Sequence, residues 1–102
     1  MVKGRGRTYY SDYIAHCMRF YARYPSPRFK TEADRQNYLA CESVLRRLSP
    51  EEREILTELF SAGDTVHERV NEIARRRGID RDRVWVLLTA AEEKIAKRRG
   101  LL

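Results

Sequence analysis

The sequence predicts an all-α fold of about five helices, and three observations lead there. Apolar residues recur three and four positions apart along most of the chain, which is the spacing of one helical face. Each such stretch is bracketed by start and stop residues: Thr31, Ser49 and Asp80 in front, and Pro25, Gly63, Gly78 and Gly100 behind. No run alternates between apolar and polar residues as a half-buried strand does.

Composition sets the frame. A chain of 102 residues suffices for one domain with one modest core. Charged residues make up 35%, mean hydropathy is −0.68, and no apolar run is long enough to span a bilayer. The opening MVKGRGRTYYSDY is basic without an apolar core segment, so no signal peptide is expected and the expected compartment is the cytoplasm. The net charge of +6 and pI near 9.7 favour a polyanionic partner, nucleic acid ahead of a membrane surface. Residues 1–30 carry a net +6, residues 31–70 a net −4 and residues 71–102 a net +4. Any well-solvated surface would account for many of these charges.

The expected organisation is a flexible basic arm over 1–7, then a single all-α domain over 8–102. Within that domain, N-terminal helices fill 8–48 and a helix-turn-helix part fills 49–102. In the arm, Arg5-Gly6-Arg7 matches the core of an AT-hook, where Gly lets two Arg side chains enter a narrow minor groove. Three residues also recur by chance, and a plain unstructured start has the same composition.

The first helix is expected over 8–23. Tyr10, Ile14, Cys17, Met18 and Tyr21 share one face, and Tyr9, Tyr13 and Phe20 widen it. So broad an aromatic face suits packing, or a homodimer interface through this tyrosine-rich helix, more than base stacking. Tyr24-Pro25-Ser26-Pro27 stops it. Thr31 caps a second helix over about 32–48, whose stripe is Tyr38, Cys41, Val44, Leu45 and Leu48, with Arg35, Glu42, Arg46 and Arg47 facing solvent. Ser49-Pro50-Glu51-Glu52 combines a cap, a proline at the first helical position and a capping-box glutamate. The third helix, about 50–61, then buries Ile55, Leu56, Leu59 and Phe60 and stops at Gly63.

A fourth helix is expected over 66–77, lined by Val66, Val70, Ile73 and Ala74. The fifth, 81–98, is capped by Asp80 and lined by Val84, Leu87 or Leu88, Ala91 and Ile95. Between them Arg77-Gly78-Ile79-Asp80 forms a short turn. Residues 67–98 therefore outline a helix-turn-helix. In that plan the first turn of the second helix meets base edges, and Arg81, Asp82 and Arg83 lie there. Arg can bond guanine in bidentate fashion and a carboxylate can accept from cytosine N4. Arg75, Arg76 and Arg77 precede the turn and are candidates for holding phosphates. For Lys94, Lys97, Arg98 and Arg99, phosphate contact and simple complementarity to the helix dipole both remain open.

Residues 44–99 resemble region 4 of sigma-70-type transcription factors. The matching phrases run from Leu45 through Leu56, then Asn71-Glu72-Ile73-Ala74, then Gly78 through Val84, and finally Ala91 through Lys97, without gaps from Ile73 to Val84. Small phage and mobile-element regulators of the ArpU kind are similar in size. The resemblance implies contact with the −35 promoter element through positions matching Arg81, Asp82, Trp85 and Val86. The family usually places polar or basic side chains where this chain has Trp85 and Val86, so Trp85 is open to three placements: DNA, the core or a protein partner. A chain this short has no room for the other sigma regions, which implies a region 4-like module acting alone.

The resulting expectation is a sequence-specific DNA-binding transcriptional regulator whose partner is double-stranded DNA. The alternative is a protein-interaction module docking on RNA polymerase or another regulator. No enzyme is expected, since the sequence holds no phosphate-binding glycine loop and no recognisable nucleophile context. No cofactor is expected either. No metal site is expected from His16, Cys17, Cys41 and His67, which lack ligand spacing; the two cysteines read as buried free thiols.

Overall fold

The computed structural model describes residues 10–23, 29–61 and 66–101. Five helices follow one another: α1 (Ser11–Arg23), α2 (Glu32–Leu45), α3 (Pro50–Ser61), α4 (Val66–Arg77) and α5 (Arg81–Arg98). There is no strand among the described residues. The radius of gyration is 13.1 Å, close to the ~13 Å of a single 100-residue domain.

α1 packs against α3, α2 and α5, and α5 in turn packs against α4, α2 and α1. Their shared core holds Ile14, Met18, Leu45, Leu56, Phe60 and Leu88, each 0–1% exposed. Cys17 and Cys41 lie in it as free thiols. Burial pushes the Cys17 thiol up to about 11, and burial also raises Cys41, so neither ionises near neutral pH.

Part of the broad aromatic face of α1 packs within the chain, while Tyr13 stays exposed. Tyr21 packs on Tyr38 of α2 at 5.0 Å between ring centroids, Tyr38 on Phe29 at 5.5 Å, and Phe29 on Phe20 at 6.5 Å. The Tyr21 hydroxyl donates to Glu42 Oε1 at 2.6 Å. Burial first, and then this bond to a carboxylate, raise the Tyr21 pKa. The buried Asn37 carboxamide oxygen accepts from the Tyr13 hydroxyl at 2.9 Å and from Arg99 Nε at 2.6 Å. One buried polar atom thereby joins α1, α2 and the end of α5, with its acceptor capacity satisfied.

The local signals act largely as expected. Thr31 accepts from the Asp34 amide at 3.0 Å. Ser49 and Glu52 form the reciprocal capping box, with bonds of 3.1 and 3.2 Å. α2 differs: it ends at Leu45 rather than 48. The amides of Arg47 and Leu48 reach back only three residues, to Val44 and Leu45, tightening the last turn. Ser49 must be extended both to cap α3 and to precede Pro50, so the helix closes before it. The expected arm at 1–7, the stop at 24–27 and the stop at Gly63 lie outside the described residues. No helix among the described residues is long and apolar enough to cross a membrane.

Candidate nucleic-acid interface

Gly78 and Asp80 set how α5 leaves α4. Gly78 has φ +67°, a left-handed conformation that a side chain would strain. Its amide bonds Arg75 O at 3.4 Å and the Ile79 amide bonds Ala74 O at 3.0 Å, which is the Schellman closure. Ile79 packs against the core there. Asp80 then caps α5, accepting from the Asp82 amide at 2.8 Å. Gly100, φ +75°, closes the far end in the same way, through bonds from Gly100 N to Lys97 O and from Leu101 N to Ala96 O. Both ends of α5 are therefore pinned by backbone geometry.

On its first turn Arg81 and Arg83 are exposed and make no ion pair among the described residues. Asp82 is exposed between them. Val86 is 64% exposed, one turn further along. It borders a groove between α5 and the start of α3, floored by Leu48, Ile55, Ile79 and Leu87. Glu51, Glu52, Asp80 and Asp82 rim that groove against Arg83 and Lys94, so its field is mixed and slightly acidic.

Of the three placements open to Trp85, the fold takes the core. Trp85 is 3% exposed, and its ring meets the His67 ring of α4 at 4.8 Å and 62°, edge to face. The buried arc of α5 is two residues wide, taking in Val84 with Trp85, Ala91 with Glu92, and Ile95 with Ala96. A one-residue stripe read from spacing leaves Trp85 outside; a helix covered by several others buries it.

The Arg triplet divides. Arg76 Nη2 bonds Glu58 Oε2 of α3. Arg77 Nη2 bonds Glu54 Oε1 and Glu58 Oε1, both at 3.2 Å. Partial burial opposes ionisation of the Glu58 carboxyl, but the bonds from Arg76 and Arg77 outweigh it and hold the carboxyl below its ordinary 4.5. The bonds to Glu54 and Glu58 raise Arg77. Of the three arginines expected to hold phosphates, Arg76 and Arg77 are paired within the fold, and Arg75 is exposed and without an ion pair among the described residues. Arg69 adds to the same α3–α4 junction, bonding Glu72 at 2.6 Å and the Glu58 carbonyl at 3.1 Å. The Glu54–Glu58 pair, four apart on α3, was the signal in the sequence for these partners.

Arg5 and Arg7 lie outside the described residues. No group of three or more His, Cys, Asp or Glu among the described residues is arranged to hold a metal ion. Comparison with protein-family models, curated proteins and solved structures finds no match to this chain.

Proposed function

We propose that this protein is a sequence-specific DNA-binding transcriptional regulator. In this reading α4, the Gly78–Asp80 turn and α5 form a helix-turn-helix of the sigma region 4 type. One observation carries it: Arg81 and Arg83 stand exposed, without an ion pair among the described residues, on the first turn of a helix whose start is held by a Schellman closure and an Asp cap. Side chains placed this way need no rearrangement to reach base edges in a major groove. Arg75 adds a phosphate contact beside the turn, and Val86 is left to touch a thymine methyl. Trp85 has no part in contact with bases; it sets the seat of α4 on α5.

The test is selection of bound duplexes from a random pool, followed by titration across salt. Binding is expected at micromolar affinity or tighter and should weaken steeply with salt, because cation–phosphate contacts release counterions. Arg81→Ala or Arg83→Ala should cost about 1–3 kcal/mol and relax preference at one base position. Salt-insensitive binding, or none across the pool, would defeat the reading.

A second reading has its own observation. Val86 and the apolar groove beside it, with an acidic rim, suit a protein such as RNA polymerase or another regulator better than a phosphate backbone. Recovery of polymerase subunits by the protein, with loss on Val86→Glu and no DNA retention, would favour it.

A further inference from the structure

Two groups of cations that are far apart in sequence meet where the end of α2 lies against the C-terminal half of α5. Arg47, Lys94, Lys97 and Arg98 line one hollow together with Ser43. Arg46 lines an adjoining hollow, which shares Arg98 and Ser43 with the first. The two form one continuous surface. All five cations are exposed, and none makes an ion pair among the described residues. The acidic side chain on this surface is Glu42, and its carboxylate already accepts the Tyr21 hydroxyl at 2.6 Å. Lys94 also borders the groove holding Glu51 and Glu52, so it is the least committed of the five.

Helix C-termini favour nearby cations, which explains why such charges are tolerated at the ends of α2 and α5. It does not supply a counter-ion. Like charges gathered from two elements repel one another, and salt screens exposed charges only in part. The same C-termini disfavour a compact anion seated on the backbone, since they present carbonyls rather than amides. What fits is a linear polyanion met by long, outward-reaching side chains. A phosphodiester strand is such a polyanion.

The geometry points to this α2–α5 seam as a sequence-independent contact for the phosphate backbone of duplex DNA. It lies apart from the first turn of α5: Lys97 is about 24 Å along the helix from Arg81 at 1.5 Å per residue. The inference rests on the DNA-binding reading for the identity of the polyanion. Backbone contacts there would set affinity and register, while the first turn of α5 would set preference.

The test compares the full chain with the triple variant Arg47→Gln, Lys97→Gln, Arg98→Gln on random-sequence and selected duplexes. Far-UV circular dichroism checks the fold. Affinity for the random duplex should fall roughly ten-fold at about 0.1 M salt. The slope of log K against log salt should flatten by about 0.9 for each phosphate contact removed, hence by about 2 or more. The ratio of selected to random affinity should stay as in the parent. The charge-retaining pair Arg47→Lys, Arg98→Lys should bind as the parent does. If the triple variant fails to fold, Arg46→Gln with Arg47→Gln, both outside any helix, reads the same slope. An unchanged slope in a folded variant overturns the inference and leaves the base-reading proposal intact. Binding of polyglutamate that the triple variant loses, with the DNA slope unchanged, assigns the seam to an acidic protein and overturns it too. A parent without sequence preference, whose slope still flattens in the variant, supports the seam and sinks the base-reading proposal. A parent that binds no duplex sinks both.

Discussion

Arginines crowd two junctions of this small domain, α3 with α4 and α2 with α5, and the two treat them differently. At the first, Arg69, Arg76 and Arg77 meet Glu54, Glu58 and Glu72, and the Glu58 carboxylate serves two guanidiniums at once. At the second, Arg46, Arg47, Lys94, Lys97 and Arg98 have no such partners among the described residues. Two runs of three consecutive cations, Arg75–Arg77 and Lys97–Arg99, therefore differ: two of the first are ion-paired, and none of the second is among the described residues. Density along the chain does not measure available charge, because counter-ions come from elsewhere: Glu58 lies 18 and 19 residues before the arginines it holds.

The contrast presumes that α4 sits where Trp85 seats it, and the largest effect should come from removing that seat. Trp85→Ala is expected to cost about 3–5 kcal/mol in urea unfolding, the range for deleting a buried aromatic side chain. A stability loss below 1 kcal/mol would mean the ring is not in the core. Next comes reversal at the paired junction. Glu58→Lys turns a shared anion into a third cation facing Arg76 and Arg77, and about 2–3 kcal/mol should be lost.

Acid should erase the same pairing more gently. The Glu58 pKa is lowered in the fold, so its stabilisation is full above its ordinary 4.5 and is lost as pH falls through the lower folded value. Glu58→Gln, which has no charge to titrate, should lose about 1 kcal/mol at neutral pH and fall less steeply than the parent between about pH 5 and pH 3. Parallel stability curves for the two proteins would remove Glu58 from the account. The smallest effect belongs to the open junction. Arg47→Glu relieves repulsion and can pair with Lys97 or Arg98, so stability should be unchanged or rise by up to about 0.5 kcal/mol. A marked loss in thermal unfolding would show that Arg47 is already paired.

Much of the fold was legible in the sequence. The starts of α2, α3 and α5 agree with the caps Thr31, Ser49 and Asp80, and the ends of α4 and α5 with Gly78 and Gly100, since caps and left-handed glycines act within one turn. The end of α2 was misplaced by three residues because its apolar stripe continues to Leu48, while the chain must straighten for Ser49 and Pro50. The site was legible only in part. Arg81 and Arg83 could be placed on a first turn from Asp80 alone. The burial of Trp85 could not, because spacing marks the middle of a buried face and its width depends on how many helices cover it.

The sequence by itself determined the five helices among the described residues, where α2, α3 and α5 start, where α4 and α5 stop, and which face of each turns inward. Those are short-range matters of backbone sterics, capping and apolar periodicity. Only the tertiary structure decided which charges are neutralised and which remain open. It placed Arg76 and Arg77 against Glu58, drew Trp85 over His67, and brought Arg46 and Arg47 beside the tail of α5. The reason is physical. An ion pair or an edge-to-face ring contact depends on a few ångströms between residues far apart in sequence, and helix packing sets that distance.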